Sequence, residues 1–202
     1  MLSIDPADNS ERENYKLLIG SIIPRPIAFV TSISNEGVLN GAPFSYFNIV
    51  TSNPPMISLA IQRNEGMQKD TARNIISTKE FVVHIVDEDN VKKINKTAAS
   101  LPPDQSEIEL AQLTPAESSK ISVPGVMEAK IRMECILEQS LSLGGTDTPG
   151  CDLIIGKVVQ FHIDENIYEN GRIDPRGLAA VSRLAGINYA KIGEMFSIER
   201  PK

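Results

Sequence analysis

The chain has 202 residues, 41% hydrophobic and 23% charged, with 20 Lys and Arg against 26 Asp and Glu for a net charge of −6. That length accommodates one sizeable core, so a single domain over 1–202 is expected. An acidic balance without a Lys/Arg run argues against nucleic acid or an anionic membrane as partner, and no apolar stretch reaches the roughly 20 residues that a bilayer span needs.

The opening MLSIDPADNSEREN has neither the basic nor the apolar region of a secretory signal. SERE at 10–13 is a capping-box pattern ahead of Tyr15, Leu17 and Leu18, predicting a short helix that ends at Gly20. Three strands are predicted next, over 26–33, 38–50 and 56–62, with SNEG at 34–37 as a hairpin turn that uses Gly37. Pro54 and Pro55 cannot donate to a ladder and are expected to interrupt the sheet. In GAPFSYFNIVTSNPP (41–55), alternation puts Phe44, Tyr46, Asn48 and Val50 on one face and Ser45, Phe47, Ile49 and Thr51 on the other. Neither face is cleanly apolar or cleanly polar, which raises the question of what such a strand is for.

KDTARNIIS (69–77) reads as a helix with Ala72, Ile75 and Ile76 on one face and Asp70 as its N-cap. FVVHIV (81–86) is apolar on both faces apart from His84, as in a central strand, and Val91, Ile94 and Ala98 are spaced for a helix. The proline-rich segment 101–125 is expected to be an irregular excursion around the core. EAKIRMECILEQSLSL (128–143) predicts a half-buried antiparallel strand. Ala129, Ile131, Met133, Cys135 and Leu137 point inward, while Lys130, Arg132, Glu134 and Glu138 point outward. LGGTDTPG then turns the chain into a second long strand, CDLIIGKVVQFHI, with Gly156 at a bulge or close approach. Many strands, few helices and hairpin turns predict a mainly β fold, an antiparallel barrel with peripheral helices.

Several chemistries lack material. The two histidines cannot make a His-rich metal site, and no metal ligand set is expected. His84 reads as a core histidine and His162 as structural or solvated. The phosphate-binding glycine fingerprints of nucleotide and dinucleotide sites are absent. Cys135 reads as core, Cys151 as partly exposed, and two thiols without CxxC spacing suit a reducing, cytoplasmic setting. With no acid–base machinery apparent, catalytic residues are expected to be none, leaving any chemistry to a cofactor that the protein binds and orients. Small polar groups and positive charge do gather in FVTS (29–32), LNGAPFSYFN (39–48) and QRNEGMQKDTARN (62–74). There Lys69, Thr71 and Arg73 surround a helix start that could take a phosphate or simply be solvated and capped.

The ordered set IPRPIAFVTS, LNGAPFSYFNIVTSNPP, KDTARNI, FVVHIV and RLAGINYA resembles the flavin reductase-like family of FMN-binding split barrels, from Tyr15 to Pro201. The resemblance implies a homodimer of six-stranded antiparallel split barrels with FMN, or FAD, near the subunit interface. Ala42, Pro43, Phe44, Ser45 and Asn48 would then lie along the flavin ring. Thr31, Ser32, Lys69 and Thr71 would hold its phosphate, with Arg63 a weaker member. NADH or NADPH would donate hydride, and a flavin-dependent oxygenase or another acceptor would receive the electrons. A flavin-binding electron carrier without nicotinamide activity, or a ferric-complex reductase, are the alternatives. Ala185 in RLAG stands where the family pattern has glycine, so Arg183 and Tyr189 could serve the flavin, the dimer seam or C-terminal packing.

Overall fold

The computed structural model describes residues 1–145 and 147–201. Helix α1 (Glu11–Ser21) starts as its sequence predicts. Ser10 Oγ accepts from the Glu13 N–H at 3.3 Å, and Glu13 Oε2 accepts from the Ser10 N–H at 2.9 Å. After β1 (Arg25–Pro26), strands β2 (Ala28–Ile33) and β3 (Leu39–Phe44) form a hairpin. Its turn closes through Gly37 N–H to Ser34 O at 3.0 Å, with Gly37 at φ +86°, which only glycine adopts freely.

The predicted strand over 38–50 is two strands, β3 and β4 (Phe47–Ser52), broken at Ser45 and Tyr46. β3 pairs with β2, whereas β4 pairs with β5 (Pro55–Gln62). With β6 (Glu80–Ile85), β9 (Ile131–Leu143) and β10 (Cys151–Ile163), the main sheet accordingly runs β3-β2-β6-β9-β10-β5-β4, all antiparallel, and the expected six strands are seven. Its edge strands are consecutive in the chain but share no ladder, so the barrel is split and does not close. Asn53 and Pro54 form the β4–β5 turn, and Pro55 opens β5 opposite Ser52, a first-residue position that a proline can take.

Helix α2 (Asp70–Thr78) buries Ala72 and Ile75 in the barrel core and half-buries Ile76. Its N-cap is Lys69, not Asp70, whose carboxylate lies in the first turn and pairs with Arg73. β6 (Glu80–Ile85) is central, between β2 and β9. The excursion 101–125, preceded by α3 (Val91–Lys96), carries α4 (Glu107–Leu110), β7 (Pro115–Ala116) and the start of β8 (Gly125–Val126). It builds a second core outside the sheet, from Ile94, Ile108, Leu113 and Val126 against Phe29.

β9 (Ile131–Leu143) and β10 (Cys151–Ile163) form the longest hairpin, turned by LGGTDTPG, of which Thr146 lies outside the described residues. Ile131, Met133 and Cys135 are buried as the alternation predicts. Glu134 departs from it, being fully buried on the outer face beneath residues 119 and 120. Its carboxylate accepts from Ser119 N–H and Lys120 N–H, both at 2.7 Å, and from His162 Nε2 at 2.5 Å. Burial alone would push the carboxyl up, but these donors outweigh it and hold it at about 2. Gly156 sits at a register shift, and a Cβ there would lie 2.3 Å from Phe81 Cζ.

The chain ends in β11 (Tyr168–Glu169), β12 (Arg172–Ile173), α5 (Pro175–Leu178), β13 (Val181–Arg183) and β14 (Tyr189–Lys191). β13 and β14 join β1 in a small sheet, and an irregular tail follows with Phe196 and Ile198 exposed. Among the described residues no helix is long and apolar enough to cross a membrane.

Two outcomes follow from this packing. Gly156→Ala is expected to lower the free energy of unfolding by about 1–3 kcal/mol in urea titration, partly recovered by adding Phe81→Leu, whereas Gly20→Ala, with no atom near its Cβ, is neutral or stabilising. Glu134 is depressed from 4.5 to about 2 in the fold, so its stabilisation is complete above pH 4.5 and fades as the pH falls toward 2. Glu134 should therefore contribute a loss of about 3 kcal/mol to the acid titration of stability in that window, and the total loss should be smaller by that amount in Glu134→Gln.

Candidate functional site

The chain between the two edge strands opens onto a cleft organised by Arg25, which is only 6% exposed. Its Nη1 donates to Ile19 O at 2.7 Å and Ile22 O at 2.6 Å, and its Nη2 to Leu184 O at 2.9 Å. Its Nε faces Ser45 Oγ at 3.5 Å. One guanidinium thus ties the end of α1, the β13–β14 connection and the break between β3 and β4. The sequence marks Arg25 only by its place between two prolines, and no site role was read from it. Its partners are main-chain carbonyls, which leave no trace in side-chain identity.

The cleft has a volume of about 370 Å³. Leu18 and Ile22 of α1 and Pro24 and Pro26 make apolar walls, while Tyr46, Phe47 and Asn48 line the side toward the sheet. Ser45 and Ser58 add hydroxyls. Burial raises the Tyr46 phenol above its ordinary value, which keeps it neutral. This lining suits a flat, largely apolar ligand with a polar edge. It holds no carboxylate or imidazole to move a proton.

The structure gathers some of the sequence-predicted residues here and not others. Ser45 and Asn48 line the cleft, with Asn48 exposed and its Oδ1 accepting from the Ile49 N–H at 2.8 Å. Ala42 and Pro43 are half-buried on β3, opposite Val30 and Phe29. Phe44 belongs to the barrel core and does not line the cleft. The opening puzzle of mixed faces resolves in this way: Phe44 ends one strand and points into the core, and Tyr46 and Phe47 begin a different environment.

Thr31, Ser32 and Thr71 were expected to offer hydroxyls to a phosphate, but all three are at most 2% exposed. Thr31 donates to Pro124 O at 2.7 Å, Thr71 to Asn40 Oδ1 at 2.9 Å, and Ser32 to the same oxygen at 3.4 Å. Asn74 Nδ2 donates to Ser32 Oγ at 3.3 Å, and Asn40 Nδ2 to the buried Glu107 carboxylate at 2.9 Å. In this arrangement their hydroxyl protons are spent inside the fold, so they shape the α2–β3 junction from beneath. Arg63 is likewise committed, forking onto Asp152 at 2.6 and 2.9 Å and reaching Ser142 at 3.1 Å and Gly66 O at 3.3 Å. Lys69 is exposed beside the N-terminus of α2, and Arg73, also exposed, is paired with Asp70.

Arg183 and Tyr189 pack on each other, with the guanidinium carbon 4.5 Å from the ring centroid. Arg183 also donates to Gly186 O at 2.6 Å, and Tyr189 to Asn95 Oδ1 at 2.8 Å. Gly186, at φ +63°, takes the conformation that needs glycine, and Ala185 does not, which explains how alanine is accommodated. No group of His, Cys, Asp and Glu among the described residues could hold a metal ion.

A family model described as flavin reductase like domain matches residues 19–179. Protein YwrF of Bacillus subtilis (strain 168) is 51% identical over 195 residues, covering 95% of each chain. Among solved structures, nitrilotriacetate monooxygenase component B from Bacillus cereus is 64% identical, with a TM-score of 0.97 over 98% of each chain. The 2-nitrobenzoate 2-nitroreductase of Pseudomonas fluorescens is 29% identical, with a TM-score of 0.89 over 99% of this chain and 96% of that one.

Arg25→Gln removes most of the ties at the cleft. It is expected to cost about 2–4 kcal/mol of stability and to accelerate amide exchange selectively around 19–22 and 184–190, measured by hydrogen–deuterium exchange.

Proposed function

The chain belongs to the flavin reductase-like domain family, and we propose that it is an FMN-binding flavin reductase that uses NADH or NADPH and passes the electrons to an oxygenase component. The observation that carries this reading is the cleft at the break between β3 and β4, apolar on its walls and polar at Arg25, Ser45, Tyr46, Asn48 and Ser58. That lining fits a planar heterocycle better than a sugar or a peptide. FMN is favoured over FAD because Lys69 and the free N–H groups at the start of α2 suit one terminal phosphate. Asp70 does not repel that anion fully, since Arg73 neutralises it. β3 runs from the α2 junction at Gly41 to the cleft at Ser45, roughly 13 Å at ~3.3 Å per residue, so one strand links the two ends of the proposed site.

Bound FMN would supply the two-electron chemistry, accepting hydride from the nicotinamide. The protein's own part is alignment and exclusion of water. Leu18, Ile22 and the two prolines keep one side dry, Arg25 holds Ser45 in place, and Asn48 offers its amide at the polar rim. The oxygenase partner is suggested by the Bacillus cereus relative, whose description is component B of a monooxygenase. The working unit is proposed to be a homodimer in the reducing cytoplasm. The exposed Ile49 and Val50 on edge strand β4, with Phe196 and Ile198 in the tail, are apolar surface that a second copy would cover.

The test is an anaerobic titration of the purified chain with FMN, followed by NADH and then NADPH, read in the visible spectrum. Saturable binding and bleaching by one nucleotide support the reductase and name its donor. Binding without bleaching would replace it with an electron carrier, and absence of binding would overturn the flavin reading altogether. Lys69→Ala should weaken FMN by roughly 10-fold or more and leave riboflavin, which lacks the phosphate, unchanged. Equal loss for both would remove Lys69 from the phosphate end.

A further inference from the structure

A second groove, of about 660 Å³, opens on the outer face of the β9–β10 hairpin, lined by Lys130, Arg132, Phe161, His162 and Asp164 among others. It lies away from the cleft: Ile155 pairs with the cleft residue Ser58, and Phe161 is roughly 20 Å further along β10 at ~3.3 Å per residue. Its charged groups are matched internally with one exception. Lys130 pairs with Asp89 at 2.8 Å, Lys93 with Glu128 at 3.1 Å, and His162 with Glu134 at 2.5 Å. Asp164 accepts from the Asn166 N–H at 2.9 Å and its Nδ2 at 2.8 Å.

Arg132 is the exception. It stands across the ladders from His162 on one side and His84 on the other, half-buried. Among the described residues it makes neither an ion pair nor a hydrogen bond, and burial pulls its guanidinium below the ordinary value. None of its nitrogens is buried without a partner, so they are open to solvent at the groove, and its planar fork matches the two oxygens of a carboxylate or phosphate. His162 is aimed by its neighbour: Nε2 faces the Glu134 carboxylate, itself fixed by the Ser119 and Lys120 amides, which leaves Nδ1 without a described partner.

We propose that this groove binds a small oxyanion, a carboxylate or a phosphate, held by the fork of Arg132 and by Nδ1 of His162. With Nε2–H directed to Glu134, Nδ1 can donate to the anion only from a ring that carries both protons. Glu134 and Glu128 are held below the ordinary carboxyl value, Lys130 is raised by Asp89, and buried His84 is lowered to about 4 and stays neutral. Exposed Met127 and Phe161 at the rim leave room for an apolar body on the anion.

The chain's two histidines make the test direct: one lies at the site, and His84 serves as an internal reference. The full chain is titrated with inorganic phosphate and, separately, with acetate at constant pH and ionic strength, following the imidazole resonances by NMR. A saturable shift of His162 with a still His84 is expected. Response to phosphate alone or acetate alone identifies the anion class, and either supports the site. Arg132→Gln should weaken binding roughly 10-fold or more, and Arg132→Lys, which keeps the charge and loses the fork, should fall between. No saturable shift with either anion, or an undiminished one in a folded Arg132→Gln, overturns the proposal. If neither variant folds, the wild-type titration decides it alone. No flavin enters the experiment, so its outcome is separate from that of the reductase reading.

Discussion

Ser45 and Tyr46 carry the chain from one edge of the main sheet to the other, and most of the architecture follows from that crossing. β3 must end where its pairing with β2 ends, and β4 must begin where β5 can receive it. The two edges therefore face each other across a short stretch of irregular main chain. Such a junction would collapse or splay unless something fixed its width. Arg25 does so with hydrogen bonds to carbonyls from the end of α1 and from the connection after β13, elements near opposite ends of the sequence. A charged donor suits this task, because hydrogen bonds from a guanidinium to carbonyls are stronger than neutral ones and its fork has fixed geometry.

The other end of β3 is secured by a different kind of chemistry. Asn40 receives hydrogen bonds from Ser32 and Thr71, and gives one to Glu107, whose carboxylate also accepts from the Gly41 N–H at 3.3 Å. Burial raises the Glu107 carboxyl despite these donors, so this is a network whose members are satisfied but whose charge is held at a cost. It joins β2, β3, α2 and α4 in one polar knot beneath the surface. The β3 strand is thereby pinned at both ends, and the residues between, Ala42 and Pro43, have little freedom to move.

What the sequence revealed, and what it hid, divides along the range of the interactions. The capping box at Ser10 and Glu13, the turn at Gly37 and the close approach at Gly156 are local or need only the absence of a side chain, and each was readable. The break at Ser45 was not, because alternation continues across it and only the choice of pairing partner distinguishes two strands from one. Glu134 reads as outward and is outward. It is buried because residues 119 and 120, far off in the irregular excursion, come down over it. The hydroxyls of Thr31, Ser32 and Thr71 have the right chemistry for an anion. Where a hydroxyl proton goes, however, is settled by acceptors such as Pro124 O and Asn40 Oδ1, which no motif records.

His84 fastens the main sheet to its outer layer through a single ring. Its Nδ1 lies 2.9 Å from Phe29 O in β2, and its Nε2 lies 2.9 Å from the Val126 N–H in β8, on the outer layer. A carbonyl can only accept and an amide N–H can only donate, so the partners dictate where the imidazole proton sits: on Nδ1, with Nε2 left as a lone pair. The ring is one tautomer out of two, and burial, which lowers it to about 4, keeps it from taking a second proton. Sheet and cover are therefore in register with respect to one proton as well as to side-chain shape. A replacement that matched the volume of the ring without its paired donor and acceptor would strand one main-chain group in the sheet and one in its cover at once.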